Sequence, residues 1–285
     1  MRQSRRLALI SFVLLLPATC APRSITPVVD SSQESGPAII DWSDWGLTLN
    51  IAVVDDRVDY SKLAARSEPL DRFLAQVGRI GPNNAPDQFP RPEHAQAYYI
   101  NCYNAAILRG NLELLRPKPL HLFVAGNPDS RFRFRIDGRM CLPADLRREA
   151  LKLAGDDWRV RFSLCDGTLG GPPLNRHAFL PDMLDAQLNE AVRSALASPQ
   201  IVAIQHGERK QLMLWRGIFD TREQFVKDYE RRTGARSATI LNVLLEWTPN
   251  DPARRSLLNS AVGYEVVAAP TNRASNAVAQ ADAAK

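Results

Sequence analysis

The stretch "YYINCYNAAIL", residues 98–108, decides the fold prediction, because it places two asparagines inside an otherwise apolar run. At 3.6 residues per turn, Asn101 and Asn104 share one face of a helix, and apolar residues cover nearly all of the remaining surface. The pattern therefore predicts that residues 94–115 form a long core helix, which ends at the following "RPKP".

The two asparagines need hydrogen-bond partners if they are buried, because an unpartnered buried amide costs about 1–3 kcal/mol. Irregular backbone is the expected partner, since it lacks the hydrogen bonds of a helix or sheet. The loop "LCDGTLGGPPL", residues 164–174, has three glycines and a proline pair, and it is the segment most in need of such support. We predict that Asn101 and Asn104 hold this loop. The alternative is that they lie at a polar edge of the helix and meet water.

Helical and strand patterns mix along the chain without a regular βαβ repeat, which favours an α+β fold. We expect a single domain in which the long helix is buried and packs against a small, mostly antiparallel sheet. "RFRFRIDGRMCL" alternates and contains Asp-Gly, which predicts a hairpin with its turn at Asp137 and Gly138. "WRVRFSLC", residues 158–165, is predicted to be a strand that leads into the loop. Further helices are predicted at residues 60–79 in two pieces, 143–154, 182–197 and 222–261, and further strands around residues 200–216 and 263–269.

The N-terminus has the pattern of an export signal. Three arginines within the first six residues precede an apolar core, residues 7–16, which is too short to span a bilayer as a helix. "LPATCAP" follows, and a small-residue stretch that ends in cysteine resembles a bacterial lipoprotein processing site. We therefore predict a signal peptide over residues 1–19 and a lipid on Cys20. The alternative is ordinary cleavage without lipid.

The segments that flank the predicted domain differ from it in composition. Residues 20–38 are rich in Ser and Pro and are predicted to be a flexible tether. Residues 269–285 are predicted to be a disordered tail, and residues 39–268 are predicted to be the globular domain. A lipid on Cys20 places the protein in the bacterial cell envelope, on the periplasmic side of a membrane. Without the lipid, the protein is expected to be periplasmic or secreted.

The charge of the chain bears on its partners. Of 36 Lys and Arg residues, three lie in residues 1–19, which contain no acid, so the processed chain keeps 33 basic and 31 acidic residues. This near balance gives no electrostatic reason to expect a nucleic-acid partner. Arg131, Arg133 and Arg135 of the predicted hairpin are interpreted as a solvated strand face. The expected partners are the membrane, through the lipid, and an unidentified protein or small-molecule ligand.

Two of these motifs also carry a family resemblance. "YYINCYNAAIL" resembles the signature helix of the bacterial and plant family called domain of unknown function 547, which typically has aromatic-Trp-Ile-Asn-x-Tyr-Asn-Ala. "VRFSLCDGTLGGPPL" is similar in outline to the second signature of that family, a strand followed by Asn-Cys, four residues and Cys-Pro-Pro-Leu. Stretches such as "FRIDGRMCLPADL" and "LWRGIFDTREQFVKDY" extend the resemblance over residues 41–272.

The chain departs from the family at several positions. With the proline pair aligned, the two loop cysteines of the family fall on Asp166 and Gly171, and Cys165 takes the place of the asparagine. The strand histidine falls on Arg161, and a Glu-His pair falls on residues 147 and 148, both arginines. If the family performs thiol–imidazole chemistry, this chain lacks the usual thiol and both usual histidines.

These departures favour a non-catalytic binding or scaffolding domain. The alternative is a thiol-dependent hydrolase or transferase, with Cys165 as the nucleophile and His177 as its base. In that alternative Asn101, Asn104 or the loop amides donate hydrogen bonds to an oxyanion. Whether the chain is an enzyme therefore stays open at this point.

The candidate site residues follow from the helix and the loop. No two His, Cys, Asp or Glu residues have the spacing of a zinc site, and no glycine motif that cradles phosphate is present, so neither a metal nor a cofactor is predicted. Cys102 is interpreted as a small buried hydrophobe. A disulfide between Cys141 and Cys165 is left open, because spacing cannot establish geometry. The predicted binding residues are Asn101, Tyr103, Asn104, Asp166, Gly170 and Gly171.

Overall fold

The computed structural model describes residues 21–27, 39–55, 57–115, 128–248 and 250–270. The predicted signal peptide, the predicted lipidation site Cys20, residues 28–38 of the predicted tether and nearly all of the predicted tail lie outside these ranges. The described helices are α1 Ser43–Ala52, α2 Tyr60–Ala65, α3 Glu68–Arg79, α4 Pro92–Leu115, α5 Pro128–Arg131, α6 Pro143–Ala154, α7 Leu184–Ala197, α8 Arg216–Phe219, α9 Arg222–Thr233, α10 Ile240–Glu246 and α11 Pro252–Asn259. The described strands are β1 Arg23–Ser24, β2 Val53–Val54, β3 Arg57–Val58, β4 Phe132–Ile136, β5 Arg139–Cys141, β6 Val202–Gln205, β7 Gln211–Leu214 and β8 Glu265–Ala268. Short 3₁₀ helices occupy Pro86–Gln88, Trp158–Ser163 and Pro181–Met183.

Helix α4 runs through the centre of the hydrophobic core, as its sequence predicts. Every residue from Ala97 to Gly110 is buried, because apolar side chains surround the helix instead of forming one stripe. Helix α6 packs along α4, and both helices lie at their predicted positions. The α4 side chains therefore contact several elements of the fold at once.

The described strands form three small sheets, where we expected one. Strands β4 and β5 make the predicted antiparallel hairpin, and its turn residues Asp137 and Gly138 both have left-handed backbone, as a tight Asp-Gly turn requires. Strand β1 pairs parallel with β4, β2 pairs with β3, and β8 pairs parallel with β7 of the β6–β7 hairpin. The α+β class is thus confirmed. Parallel pairs arise because β1 and β8 reach their partners through long connections, which a hairpin turn does not provide.

The prediction of a strand over residues 158–165 is wrong. Trp158–Ser163 form a 3₁₀ helix, and Asp157 begins it by accepting a hydrogen bond from the backbone N–H of Arg159 at 3.0 Å. The alternation that suggested a strand is real, since Trp158, Val160 and Phe162 are all buried. Here it results from packing against α6 and α7, which overrides the strand preference of these residue types.

The described part of the predicted tether, residues 21–27, lies against the domain. The backbone N–H of Ile25 donates to the carbonyl of Arg133 at 2.9 Å, and the Ile25 side chain is buried. The guanidinium of Arg23 lies 3.0 Å from the carboxylate of Glu113, a buried residue of α4. A short strand, one apolar side chain and one ion pair therefore fasten this segment to α4 and β4.

Candidate functional site

Asn104 holds the start of the glycine–proline loop. Its Nδ2 donates to the carbonyl of Ser163 at 2.9 Å, and its Oδ1 accepts from the backbone N–H of Cys165 at 3.0 Å. The amide thus satisfies a buried acceptor and a buried donor on either side of Leu164, as a neighbouring strand would do. Asn104 is 2 % exposed, so water does not take this role.

Asn101 holds the chain where it returns to the core after the loop. Its Nδ2 donates to the carbonyl of Phe179 at 2.8 Å, and its Oδ1 accepts from the N–H of the same residue at 3.0 Å. The same oxygen accepts from Nε1 of Trp45 in α1 at 2.9 Å. Asn101 is fully buried, and its amide therefore joins α4, α1 and the segment after the loop.

The prediction that the amides hold the loop is confirmed for Asn104, which bonds the N–H of Cys165. It is not met as stated for Asn101, because Phe179 lies beyond the loop of residues 164–174. Both side chains are buried, which excludes the alternative that the asparagines meet water. The contacts also show whether the two asparagines face a cleft or the core. Both side chains face a packed interior, so Asn101 and Asn104 act as structural clamps on residues 163–179 and do not line an open cleft.

The interior of the loop depends on its glycines and on Asp166. The Asp166 carboxylate accepts from the backbone N–H of Thr168 at 2.9 Å and from its hydroxyl at 2.7 Å. A Cβ atom on Gly171 would lie 2.4 Å from the same carboxylate, and a Cβ atom on Gly167 would lie 2.2 Å from Nδ2 of Asn111. The two positions aligned with the cysteines of the family are therefore in contact, and the carboxylate fills the space between them.

Cys165 has the environment of a structural thiol. It is 2 % exposed, and burial, with a smaller contribution from the charge of Asp166, raises the pKa of its thiol to about 12. His177, its hypothetical base, is exposed, and its backbone N–H donates to Oδ1 of Asn175. Cys165 is thus buried, whereas His177 lies at the surface. A reactive thiolate needs a nearby base and a positively charged environment, and Cys165 instead lies in the core beside the negative charge of Asp166.

The other described cysteines are buried as well. Burial raises the pKa of the Cys102 thiol well above its usual value, in keeping with the interpretation of a small core residue. The Cys141 thiol lies 3.6 Å from the carbonyl of Phe134, its partner across the hairpin. No disulfide joins Cys102, Cys141 and Cys165, so the pairing of Cys141 with Cys165 that we left open is not formed. The reason is that Cys141 faces the hairpin, whereas Cys165 is held under α4.

Tyr103 lies in a buried polar cluster beside the loop. Its hydroxyl has no hydrogen-bond partner among the described residues, and burial raises its pKa well above the usual value, with a further increase from the charge of Asp129. The Asp129 carboxylate forms an ion pair with Arg147 of α6 at 2.8 Å. Position 147, where the family has part of a Glu-His pair, thus carries a structural cation in this chain.

A groove at the outer edge of the loop was not predicted from the sequence. Its volume is about 230 Å³, and its charged lining groups are Asp55, Arg176, His177 and Glu190. Asp55 and Arg176 lie 3.5 Å apart across it. The sequence contains no signal for this groove, because Asp55 follows α1 and Glu190 lies in α7, and only the tertiary fold brings them beside the loop.

The predicted loop residues Gly170 and Gly171 differ in exposure, since Gly170 is half-buried and Gly171 is buried.

Within the described ranges, no group of three or more His, Cys, Asp and Glu side chains is arranged to bind a metal ion. None of the helices in the described part of the chain combines the length and the apolar character that crossing a bilayer requires. The expectation of no metal and no cofactor stays a prediction.

Comparison with known protein families gives a match for the central part of the chain. The family model described as "Protein of unknown function, DUF547" matches residues 86–194, from the 3₁₀ helix before α4 into α7. This segment contains both asparagine clamps and the whole loop. No curated protein and no solved structure shows significant similarity to the chain.

Proposed function

We propose that this chain, a member of the DUF547 family through residues 86–194, is an exported lipoprotein of the bacterial cell envelope. Its domain binds a protein or a small polar ligand, or supports an assembly, and it does so without catalysis. The lipid on Cys20 anchors it on the periplasmic side of a membrane.

The observation that carries the non-catalytic part is the state of Cys165. A thiol is a nucleophile and a metal ligand only as its thiolate. Burial raises the pKa of the Cys165 thiol to about 12, so the thiolate is strongly disfavoured at neutral pH. The thiol is also 2 % exposed, so a substrate has no direct path to it.

The positions that align with the cysteines and the Glu-His pair of the family support the same proposal. Asp166 uses its carboxylate to close the turn of the loop, and Gly171 leaves the space that this carboxylate needs. Arg147 pairs with the buried Asp129. Asp166 and Arg147 thus each have a structural partner, which supports a structural role for these positions in this chain.

Binding is assigned to the groove beside the loop. Hydrogen bonds from Asn104 and Asn101 anchor the chain at both ends of residues 163–179, and such anchoring lowers the entropy that is lost when a partner binds. The groove combines the acids Asp55 and Glu190 with Arg176 and His177, so a polar ligand with charges of both signs fits it.

Thiol labelling tests the non-catalytic proposal. The folded protein is treated with iodoacetamide near pH 7.5, and the modification of each cysteine is followed by peptide mass spectrometry, with urea-unfolded protein as the reference. We expect slow modification of Cys102, Cys141 and Cys165 in the folded protein and fast modification of all three after unfolding. Rapid, selective modification of Cys165 that disappears in a His177→Ala variant would instead support the thiol-dependent hydrolase or transferase.

The anchor is tested separately. The full chain is expressed in a bacterial host, and the mass of the mature N-terminal peptide is measured, with Cys20→Ser as the control. The proposal expects cleavage before Cys20 and the added mass of a diacylglycerol in the parent chain only. An unmodified N-terminus that begins elsewhere would refute the lipid anchor and would leave the thiol experiment unaffected.

A further inference from the structure

Strand β1 determines where the N-terminal end of the domain lies. It pairs parallel with β4, so that Arg23 lies beside Phe132 and Ser24 beside Arg133. Because the pairing is parallel, the start of β1 lies at the start of β4, where neighbouring strands are about 4.8 Å apart. The Arg23 ion pair with Glu113 fastens this end of the strand to α4.

Cys20 precedes Arg23 by only three residues. Three residues of extended chain span at most about 11 Å. A lipid on Cys20 would therefore hold the start of β1, and with it the start of β4, close to the bilayer surface. A long flexible tether would allow the domain any orientation relative to the bilayer. A link of three residues between the lipid and β1 allows only a few.

The solvent face of the same sheet is positively charged. Arg133 and Arg135 alternate with buried residues along β4, and both are exposed. Among the described residues, neither guanidinium has an ion-pair partner. Met140 of β5 lies opposite Arg135 in the register and is 48 % exposed. Two unpaired cations with an exposed apolar side chain between strands fit a surface of anionic headgroups.

We infer that the Arg133–Arg135–Met140 face is the membrane-contacting face of this protein and that its partner is a bilayer with anionic phospholipids. The inference rests on the lipid on Cys20 proposed above. The lipid provides attachment, and the arginines set the orientation, since each arginine near an anionic surface favours the docked state roughly fivefold.

A fluorescence experiment on the full, lipid-modified chain tests this inference. The protein is expressed in a bacterial host, purified in detergent and reconstituted into vesicles of phosphatidylcholine with or without phosphatidylglycerol. A fluorophore is attached at Met140→Cys or, as the matched control, at Val262→Cys, which is 69 % exposed and precedes β8 in a different sheet. Cys102, Cys141 and Cys165 are buried, so the fluorophore reacts with the introduced cysteine. Quenching by headgroup-labelled nitroxide lipid is measured.

The inference expects strong quenching at position 140 and little at position 262 on anionic vesicles. The contrast should weaken on neutral vesicles and at 1 M salt, where the Debye length falls from about 10 Å to about 3 Å. The Arg133→Glu/Arg135→Glu variant should lose the contrast. The charge-matched Arg209→Glu/Arg236→Glu variant, altered at exposed arginines elsewhere, should keep it.

The outcomes separate the two proposals. Equal quenching at positions 140 and 262 in a chain that carries lipid would overturn the orientation and leave the anchor intact. A contrast that survives the Arg133→Glu/Arg135→Glu change would overturn the role of the arginines. A mature chain without lipid on Cys20, shown by its mass, would overturn the anchor and the orientation together.

Discussion

Replacing Asn104 with alanine tests the central structural claim, which is that one amide holds the start of the loop. The change removes the side-chain amide and leaves two buried backbone groups without their hydrogen-bond partner, the carbonyl of Ser163 and the N–H of Cys165. Each group left unpartnered in the core costs about 1–3 kcal/mol, and local relaxation recovers part of the sum. We therefore expect Asn104→Ala to lower the free energy of unfolding by about 2–4 kcal/mol.

The magnitude can be measured by two methods. Urea unfolding should show a lower midpoint with an unchanged slope, because the surface exposed on unfolding stays the same. Thermal unfolding should show a Tm lower by roughly 4–16 °C, since 1 kcal/mol corresponds to about 2–4 °C for a domain of this size. Iodoacetamide should also modify Cys165 faster in the folded variant, while Cys141, which lies on the hairpin, should keep its rate.

Asn111→Ala is the matched control for Asn104→Ala. It removes the same amide from the same helix, but the Asn111 amide is half-buried and donates to the hydroxyl of Tyr60 at 2.8 Å. The Asn111 amide packs against Gly167 of the loop, but its hydrogen bond goes to the Tyr60 side chain and not to loop backbone. We expect it to cost about 1 kcal/mol. An Asn104→Ala variant within about 0.5 kcal/mol of the parent, or no more destabilised than Asn111→Ala, would refute the reasoning.

Three further predictions follow from buried groups. Asp71→Ala leaves the guanidinium of Arg109, which lies 3.0 Å from Asp71 in the core, without its main counter-charge, and it should cost about 3–5 kcal/mol in urea unfolding. Gly171→Ala places a methyl group 2.4 Å from the carboxylate that closes the loop turn, and it should lower stability by about 1–3 kcal/mol and speed protease cleavage in the loop. Burial raises the thiol pKa of Cys141 and Cys165 from 9.0 to about 12, so the stability that they confer is complete below pH 9 and is lost as the pH rises towards 12. Urea titrations at pH 8.5 and 10 should show the loss, at up to about 1.4 kcal/mol per thiol and pH unit, and equal stabilities would contradict the assigned burial.

Local chemistry explains why much of the fold was predictable. The period of apolar residues, the prolines at helix starts and the Asp-Gly turn act over a few neighbouring residues, so α4, α6 and the β4–β5 hairpin lie where their own sequences place them. The same holds for the site. That Asn101 and Asn104 have to bind irregular backbone follows from the cost of a buried amide, which depends little on the rest of the fold.

Other features depend on contacts between residues far apart in the sequence. Residues 158–163 alternate like a strand, but they form a 3₁₀ helix because α6 and α7 cover them. Residues 23–25 look like part of a linker, yet they pair with β4 because its edge has free backbone groups and Glu113 offers a counter-charge. A prediction from local composition cannot include these contacts, because the contacting residues lie far away in the sequence.

By itself, the sequence determined the fold class, the core helix and the need of its two amides for backbone partners, because these follow from periodicity and desolvation within short segments. Only the tertiary structure decided which atoms those amides bind, that Asp166 fills the space beside Gly171, and that Cys165 is buried, with a raised thiol pKa. The physical reason is that burial, and with it the pKa of a thiol, depends on what the rest of the chain packs around a residue.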